Sequence, residues 1–165
     1  MNVIVAVDEN WAIGRDGDQL CYIPADLKRF QRLTTGHPVL LGRKTLATFP
    51  GGRPLKNRRN LILSRDPSFA PVGGEVYASL DQALAAAPAD TCVIGGASIY
   101  RQTLEKWDKV YVTKVHTAFP AADTFFPNLD QDPAWQVTET EGPYVWGALA
   151  YTYYTYERTA DQPQQ

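Results

Sequence analysis

Residues 92–100 read Cys-Val-Ile-Gly-Gly-Ala-Ser-Ile-Tyr, an apolar run, a Gly-Gly turn and the start of a helical pattern. The run Cys92–Ile94 is continuous rather than alternating, which suits a strand buried on both faces of a parallel sheet. Three further runs share that character: Val3–Val7, Val39–Leu41 and Leu61–Leu63. Helix-like stretches lie between or after them, at Ala25–Leu33, Arg43–Ala47, Leu80–Ala87 and Ser98–Lys106. Strands alternating with helices predict right-handed βαβ units and an open sheet covered by helices. The last third differs. Val110–Val115, Gln136–Glu141 and Tyr151–Glu157 are aromatic-rich and have no helix between them, so antiparallel pairing is expected there. The fold class is α/β with a mostly parallel central sheet and an antiparallel C-terminal finish.

The turns after these strands carry a second message. In open α/β sheets, ligands sit outside the carboxyl ends of the strands. Gly95 and Gly96 stand at one such end, Gly42-Arg43-Lys44-Thr45 at a second and Ser64-Arg65 at a third. Glycine lets a phosphate approach the backbone, and a helix start offers N–H donors. Arginine and serine away from that turn suit a 2′-phosphate, hence NADP(H) over NAD(H). The acidic residue about 20 positions on that would prefer a free ribose is missing. Plain strand-to-helix turns and solvated arginines remain the alternative reading.

The segment Ile-Pro-Ala-Asp-Leu-Lys-Arg-Phe-Gln-Arg-Leu, residues 23–33, holds a carboxylate in an unusual place. At 100° per residue, with Asp26 set at zero, Ile23 falls near 60°, Phe30 near 40° and Leu33 near −20°. Lys28, Arg29, Gln31 and Arg32 fall between about 140° and 300°. Asp26 therefore sits within the apolar stripe, where lost solvation raises a carboxyl pKa. Such a group either holds a proton for a ligand or favours the helix start beside Pro24.

Composition narrows the classes. The chain has 165 residues, 16 basic and 18 acidic side chains, and a net charge of −2. That balance argues against a nucleic-acid or membrane-surface partner. Two cysteines and two histidines, none in metal-ligand spacing, give no expectation of a metal site or a disulfide framework. The opening Met-Asn-Val-Ile-Val-Ala-Val lacks a basic leader, so a cytoplasmic protein is expected. One domain over residues 1–158 is expected, followed by a polar tail at 159–165.

Taken in order, VIVAVDENWAIG, PADLKRF, GRKT, GRPLKNR, RNLILSR, VIGGASIY, YVTKV and DTFFP resemble the dihydrofolate reductase family over nearly the whole chain, in its bacterial chromosomal form. The resemblance implies a three-layer fold with helices on both sheet faces. It implies reduction of 7,8-dihydrofolate with NADPH, hydride going to C6 and a proton to N5, by a monomer. By this resemblance Asp26 is the active-site carboxylate and Thr113 its supporting hydroxyl. Ile4, Val5, Leu27, Phe30, Phe49, Leu55 and Ile94 match the pterin and benzoyl walls, with Tyr100 shared between substrate and cofactor. Arg58 matches the clamp on the glutamate α-carboxylate, with Arg53 at the tail entrance. Ala6, Ile13 and Gly14 fall where nicotinamide is held. Arg43, Ser64 and Arg65 match the 2′-phosphate region. Lys44 and Thr45, with Gly96, Ala97, Ser98 and Ile99, match the pyrophosphate cradle, and Gly42, Gly95 and Gln102 join the cofactor-binding set. The resemblance also implies a cis peptide bond at Gly95–Gly96. The chain departs from the family in the active-site loop, where Leu20-Cys21 stands in place of Pro-Trp.

Two other readings compete: a pyrimidine reductase of riboflavin synthesis and a catalytically silent nucleotide-binding module. The first needs neither Arg58 nor a carboxylate facing the pocket, and the second would shed Asp26. Asp26, Thr113 and Arg58 together argue against both.

Overall fold

The structure, a computed structural model, describes residues 1–159. Its strands are β1 (Asn2–Val7), β2 (Ala12–Gly14), β3 (Val39–Gly42), β4 (Asn60–Leu63), β5 (Gly74–Tyr77), β6 (Cys92–Gly95), β7 (Lys109–Val115), β8 (Thr124–Phe125), β9 (Trp135–Trp146) and β10 (Leu149–Arg158). Its α-helices are α1 (Pro24–Thr34), α2 (Arg43–Ala47), α3 (Leu80–Ala86) and α4 (Ala97–Thr103), the last continued by a 3₁₀ turn over Leu104–Lys106. Eight strands form one sheet in the order β5-β4-β3-β6-β1-β7-β10-β9. Pairing is parallel from β5 through β7 and antiparallel on both sides of β10.

The continuous apolar runs occupy the sheet centre, because each alternate residue has a core to enter. Val3, Val5, Val7, Leu40, Leu61 and Val93 share one buried cluster with Ala83 of α3 and with Ile99 and Tyr100 of α4. Ile4, Val39, Leu41, Ile62 and Ile94 enter the opposite cluster, with Phe30 of α1 and Leu46 of α2. Helices thus cover both faces, and each fully buried aliphatic side chain contributes roughly 1.5–3 kcal/mol.

Three local expectations need correction. Val110–Val115 lies within β7, whose first partner is β1 in parallel register, Thr113 opposite Ala6; only its outer edge pairs antiparallel, with β10. The strand expected at Gln136–Glu141 runs on to Trp146. Gly142 and Pro143 ordinarily end a strand, but β9 is the sheet edge, where a register shift absorbs them. The short strands β2, β5 and β8 escape a pattern-based reading, since none carries the continuous buried apolar run that marks the equally short β3, β4 and β6. Arg158 ends β10 with its guanidinium donating to the carbonyls of Trp107 (2.7 Å) and Leu104 (2.9 Å). Thr159 is tied to Ala134 by a backbone bond; the rest of the expected tail, 160–165, lies outside the described residues.

Candidate active site

A cleft of about 850 Å³ opens at the carboxyl ends of β1, β3 and β6 and is lined on its other sides by α1 and the 8–24 loop. Its size suits a ligand pocket. Of the residues expected in a site, Ile4, Val5, Ala6, Ile13, Gly14, Asp26, Leu27, Phe30, Lys44, Thr45, Phe49, Leu55, Ile94, Gly95, Gly96, Ala97, Tyr100 and Thr113 all line it. They come from eight separate segments of chain, so their meeting is a product of the fold.

At the floor, the Thr113 hydroxyl donates to Asp26 Oδ1 at 2.5 Å. The contact forms because α1 lies across the sheet with Asp26 in its first turn, over the inner strand that carries Thr113. Burial pushes the Asp26 carboxyl above its usual range; the Thr113 hydrogen bond and the Arg29 charge pull it back only in part. Arg29 was expected on the solvated side of α1. Its helical angle of about −60° borders the apolar stripe, and its guanidinium settles over the Tyr153 ring at 4.1 Å, with Tyr111 at 5.8 Å. Burial lowers the Arg29 pKa in turn. Cys21 lines the cleft beside Asp26; burial, then the Asp26 charge, raise its thiol pKa, which disfavours the thiolate.

The opposite end of the cleft is glycine-rich and cationic. The Gly95–Gly96 peptide bond is cis and Gly95 has φ 123°, a conformation open to glycine but strained for side-chain-bearing residues. A Cβ on Gly96 would stand 3.3 Å from Thr45 Oγ1, so the cradle is shaped for close backbone approach. Neither α2 nor α4 has a side-chain N-cap, and Lys44 stands at the start of α2. Backbone donors, a threonine hydroxyl and a lysine are the donor set a pyrophosphate needs, and the residues present fit that group. The Tyr100 hydroxyl donates to the Ile4 carbonyl at 3.0 Å and pins α4 to β1.

The remaining predicted residues lie outside the cleft proper. Arg58 is half-buried at its rim, where Nη1 donates to Thr34 Oγ1 (2.9 Å) and Nε to the Lys56 carbonyl (2.8 Å). Thr34 in turn donates to the Phe30 carbonyl at 2.8 Å. Arg53 and Arg65 are exposed. Arg43, the first residue of α2, and Ser64, just after β4, gather next to Asp66. Ile99 belongs to the core, 6% exposed, and packs 3.2 Å from where a Gly42 Cβ would be. Ser98 accepts from the Gln102 amide on the outer face of α4.

Sequence reasoning also missed part of the lining: Asp18, Gln19, Tyr22, Thr48, Phe119 and Thr124. All but Thr124, which lies in β8, sit outside the strands and α-helices, on segments whose course depends on distant partners. The Asp8 carboxylate accepts from the backbone N–H groups of Asn10, Ala12 and Phe119 at 2.8–2.9 Å. Asp123 accepts from the Asp16 N–H and donates its own N–H to the Gly14 carbonyl, both at 3.0 Å. Gly14 is obligatory in that setting, since a Cβ there would lie 2.9 Å from the Asp18 carbonyl oxygen. The motif DTFFP at 123–127 carried a usable signal, because β8 pairs with β2 at the cleft mouth.

Comparison with known proteins agrees with this geometry. The dihydrofolate reductase family model matches residues 1–158. The chain is 36% identical to dihydrofolate reductase of Bacillus subtilis over 143 residues, covering 86% of this chain and 83% of that one. It is 37% identical to the Mycobacterium leprae dihydrofolate reductase over 164 residues, covering 96% and 98%. Among solved structures, Enterococcus faecalis dihydrofolate reductase complexed with NADP(H) and RAB-propyl superposes with a TM-score of 0.81 at 34% identity, covering 95% of each chain. A half-buried carboxylate bonded to a buried threonine at one end of the cleft, a glycine cradle at the other and a family match over residues 1–158 lead to one conclusion: the chain belongs to the dihydrofolate reductase family.

Proposed function

We propose that Asp26 and Thr113 are the proton-handling pair in the NADPH-dependent reduction of 7,8-dihydrofolate to 5,6,7,8-tetrahydrofolate, the reaction of this family. The observation that carries the assignment is the 2.5 Å Thr113–Asp26 contact at the end of the cleft walled by Phe30, Leu55 and Ile94. Ionised Asp26 accepts from the amino-pyrimidine edge of the pterin, and protonated Asp26 is the store from which N5 is supplied. Thr113 fixes the carboxyl's orientation. Phe30, Phe49, Leu55 and Ile94 exclude water from the reacting ring. Arg58 meets the glutamate α-carboxylate and Arg53 lies further along the tail. Lys44, Thr45 and the Gly95–Ala97 backbone hold the pyrophosphate; Ala6, Ile13 and Gly14 flank the nicotinamide. Arg43, Ser64 and Arg65 meet the 2′-phosphate. When bound, the cofactor supplies the hydride.

Net charge of −2 and pockets built for small anions support a cytoplasmic monomer acting on small molecules without nucleic acid. No helix among the described residues is long and apolar enough to cross a membrane. The whole of residues 1–158 acts as the one catalytic domain. The direct test is dihydrofolate-dependent loss of NADPH absorbance at 340 nm. Binding of both ligands without turnover would sink the assignment and favour the silent nucleotide-binding module.

A pH profile tests the environment of Asp26 separately. Because its folded pKa is raised, turnover is highest at low pH and falls as pH rises through that value. The groups facing it are Thr113 on β7, Cys21 on the loop, Arg29 on α1 and Tyr153 on β10. Arg29→Met removes the cation that favours ionised Asp26, so the falling limb moves to higher pH. A limb that stays in place would show that Arg29 has no electrostatic reach to the carboxyl.

A further inference from the structure

Two of the groups assigned above to the 2′-phosphate are already engaged by Asp66, Arg43 by its carboxylate and Ser64 by its backbone N–H. Asp66 follows β4, and its Oδ2 lies 3.1 Å from Arg43 Nη1. Its Oδ1 accepts the Ser68 hydroxyl at 2.6 Å and the Ser68 N–H at 2.9 Å. The Asp66 N–H donates to Ser64 Oγ at 3.2 Å. Arg43 is flanked on its face by the Phe69 ring at 4.1 Å. The residues are distant in sequence but adjacent in space, because β3 and β4 are parallel neighbours with Gly42 opposite Leu63.

The two hydrogen bonds from Ser68, and then Arg43, hold the Asp66 carboxyl below its usual range, so it is ionised at neutral pH. A carboxylate on a guanidinium makes the same kind of charge-assisted contact that a phosphate monoester makes. The side chains of Arg43 and Asp66 are 47% and 42% exposed, so the pair is solvated and opens at small cost. An arriving 2′-phosphate must displace this carboxylate and then remain beside its like charge. An unphosphorylated ribose meets no such repulsion, and an Asp66 oxygen offers its 2′-hydroxyl an acceptor, the device by which acidic residues favour NAD.

We propose that Asp66 is an internal competitor for the 2′-phosphate subsite and narrows this enzyme's preference for NADPH over NADH. The proposal rests on the assignment of Arg43, Ser64 and Arg65 to that phosphate, and the experiment separates the two. Titration calorimetry with 2′,5′-ADP and with 5′-ADP is run on the unmodified protein, Asp66→Asn, Asp66→Ser and Arg43→Leu, beside kcat/KM for NADPH and NADH. Asp66→Ser keeps a turn acceptor for Ser68 and guards against a loop effect peculiar to asparagine. Both Asp66 variants are expected to bind 2′,5′-ADP about fivefold tighter, with a gain that shrinks as salt rises, and to bind 5′-ADP no tighter. Their NADPH:NADH ratio of kcat/KM rises in step. Unchanged 2′,5′-ADP affinity in both, with a loss in Arg43→Leu, overturns the competitor and leaves the phosphate assignment standing. Unchanged 2′,5′-ADP affinity in Arg43→Leu overturns the assignment and the proposal together.

Discussion

Asp26→Asn lowers kcat/KM for dihydrofolate at neutral pH by about a thousandfold, within the range that a positioned general acid contributes. The amide keeps the size of the carboxyl and can still accept from Thr113, so the cleft retains its shape, but it has no proton to pass on. NADPH binding is unaffected, because Lys44, Thr45 and Gly96 lie at the other end of the cleft. Steady-state rates beside a fluorescence titration of NADPH check both halves. Full activity in the variant would reject the role given to Asp26. The same substitution raises Tm at neutral pH. A carboxyl whose folded pKa is raised costs nothing below its unfolded value, costs progressively more as pH rises above that value, and costs its full amount above the folded pKa. The gap between variant and parent therefore closes in acid and opens as pH rises.

Arg58→Leu weakens dihydrofolate binding by about 2–3 kcal/mol, or roughly 30- to 150-fold, the worth of a charge-assisted contact to a carboxylate. NADPH affinity stays within about twofold, since Arg58 lies at the rim by the C-terminal end of α1 and touches no part of the glycine cradle. The control is a pteroate lacking the glutamate: parent and variant bind it equally. Equal losses for dihydrofolate and NADPH would overturn the clamp.

What could be read from sequence follows how local each interaction is. Val3–Val7 and Cys92–Ile94 announced central parallel strands because both faces of each are buried. Asp26 stood out because a single helical wheel exposes a carboxylate among apolar neighbours. Its partner Thr113 is 87 residues away and emerged only through family resemblance. The Gly74–Tyr77 strand was missed because it is half-buried throughout and exists by virtue of pairing with β4. Arg29 was misplaced for a different reason: periodicity assigns a side, but the aromatic rings that receive the guanidinium come from β7 and β10. Asp66 was overlooked because the fingerprint spacing for a ribose-binding acid belongs to another turn; here the acid reaches Arg43 from the neighbouring strand.

Helix α1 links the two ends of the substrate assignment. It carries Asp26 in its first turn and Thr34 at its last residue, and Thr34 holds Arg58 by a 2.9 Å hydrogen bond. Eight residues at about 1.5 Å each set those two anchors roughly 12 Å apart along one rigid rod. Under that assignment the helix is a caliper: it sets the span from the Asp26 carboxyl to the Arg58 guanidinium, so that a ligand is gauged by length as well as by the chemistry at either tip. One residue inserted between Phe30 and Thr34 would rotate the far jaw by about 100° and uncouple tail recognition from ring recognition while leaving every individual group in the sequence.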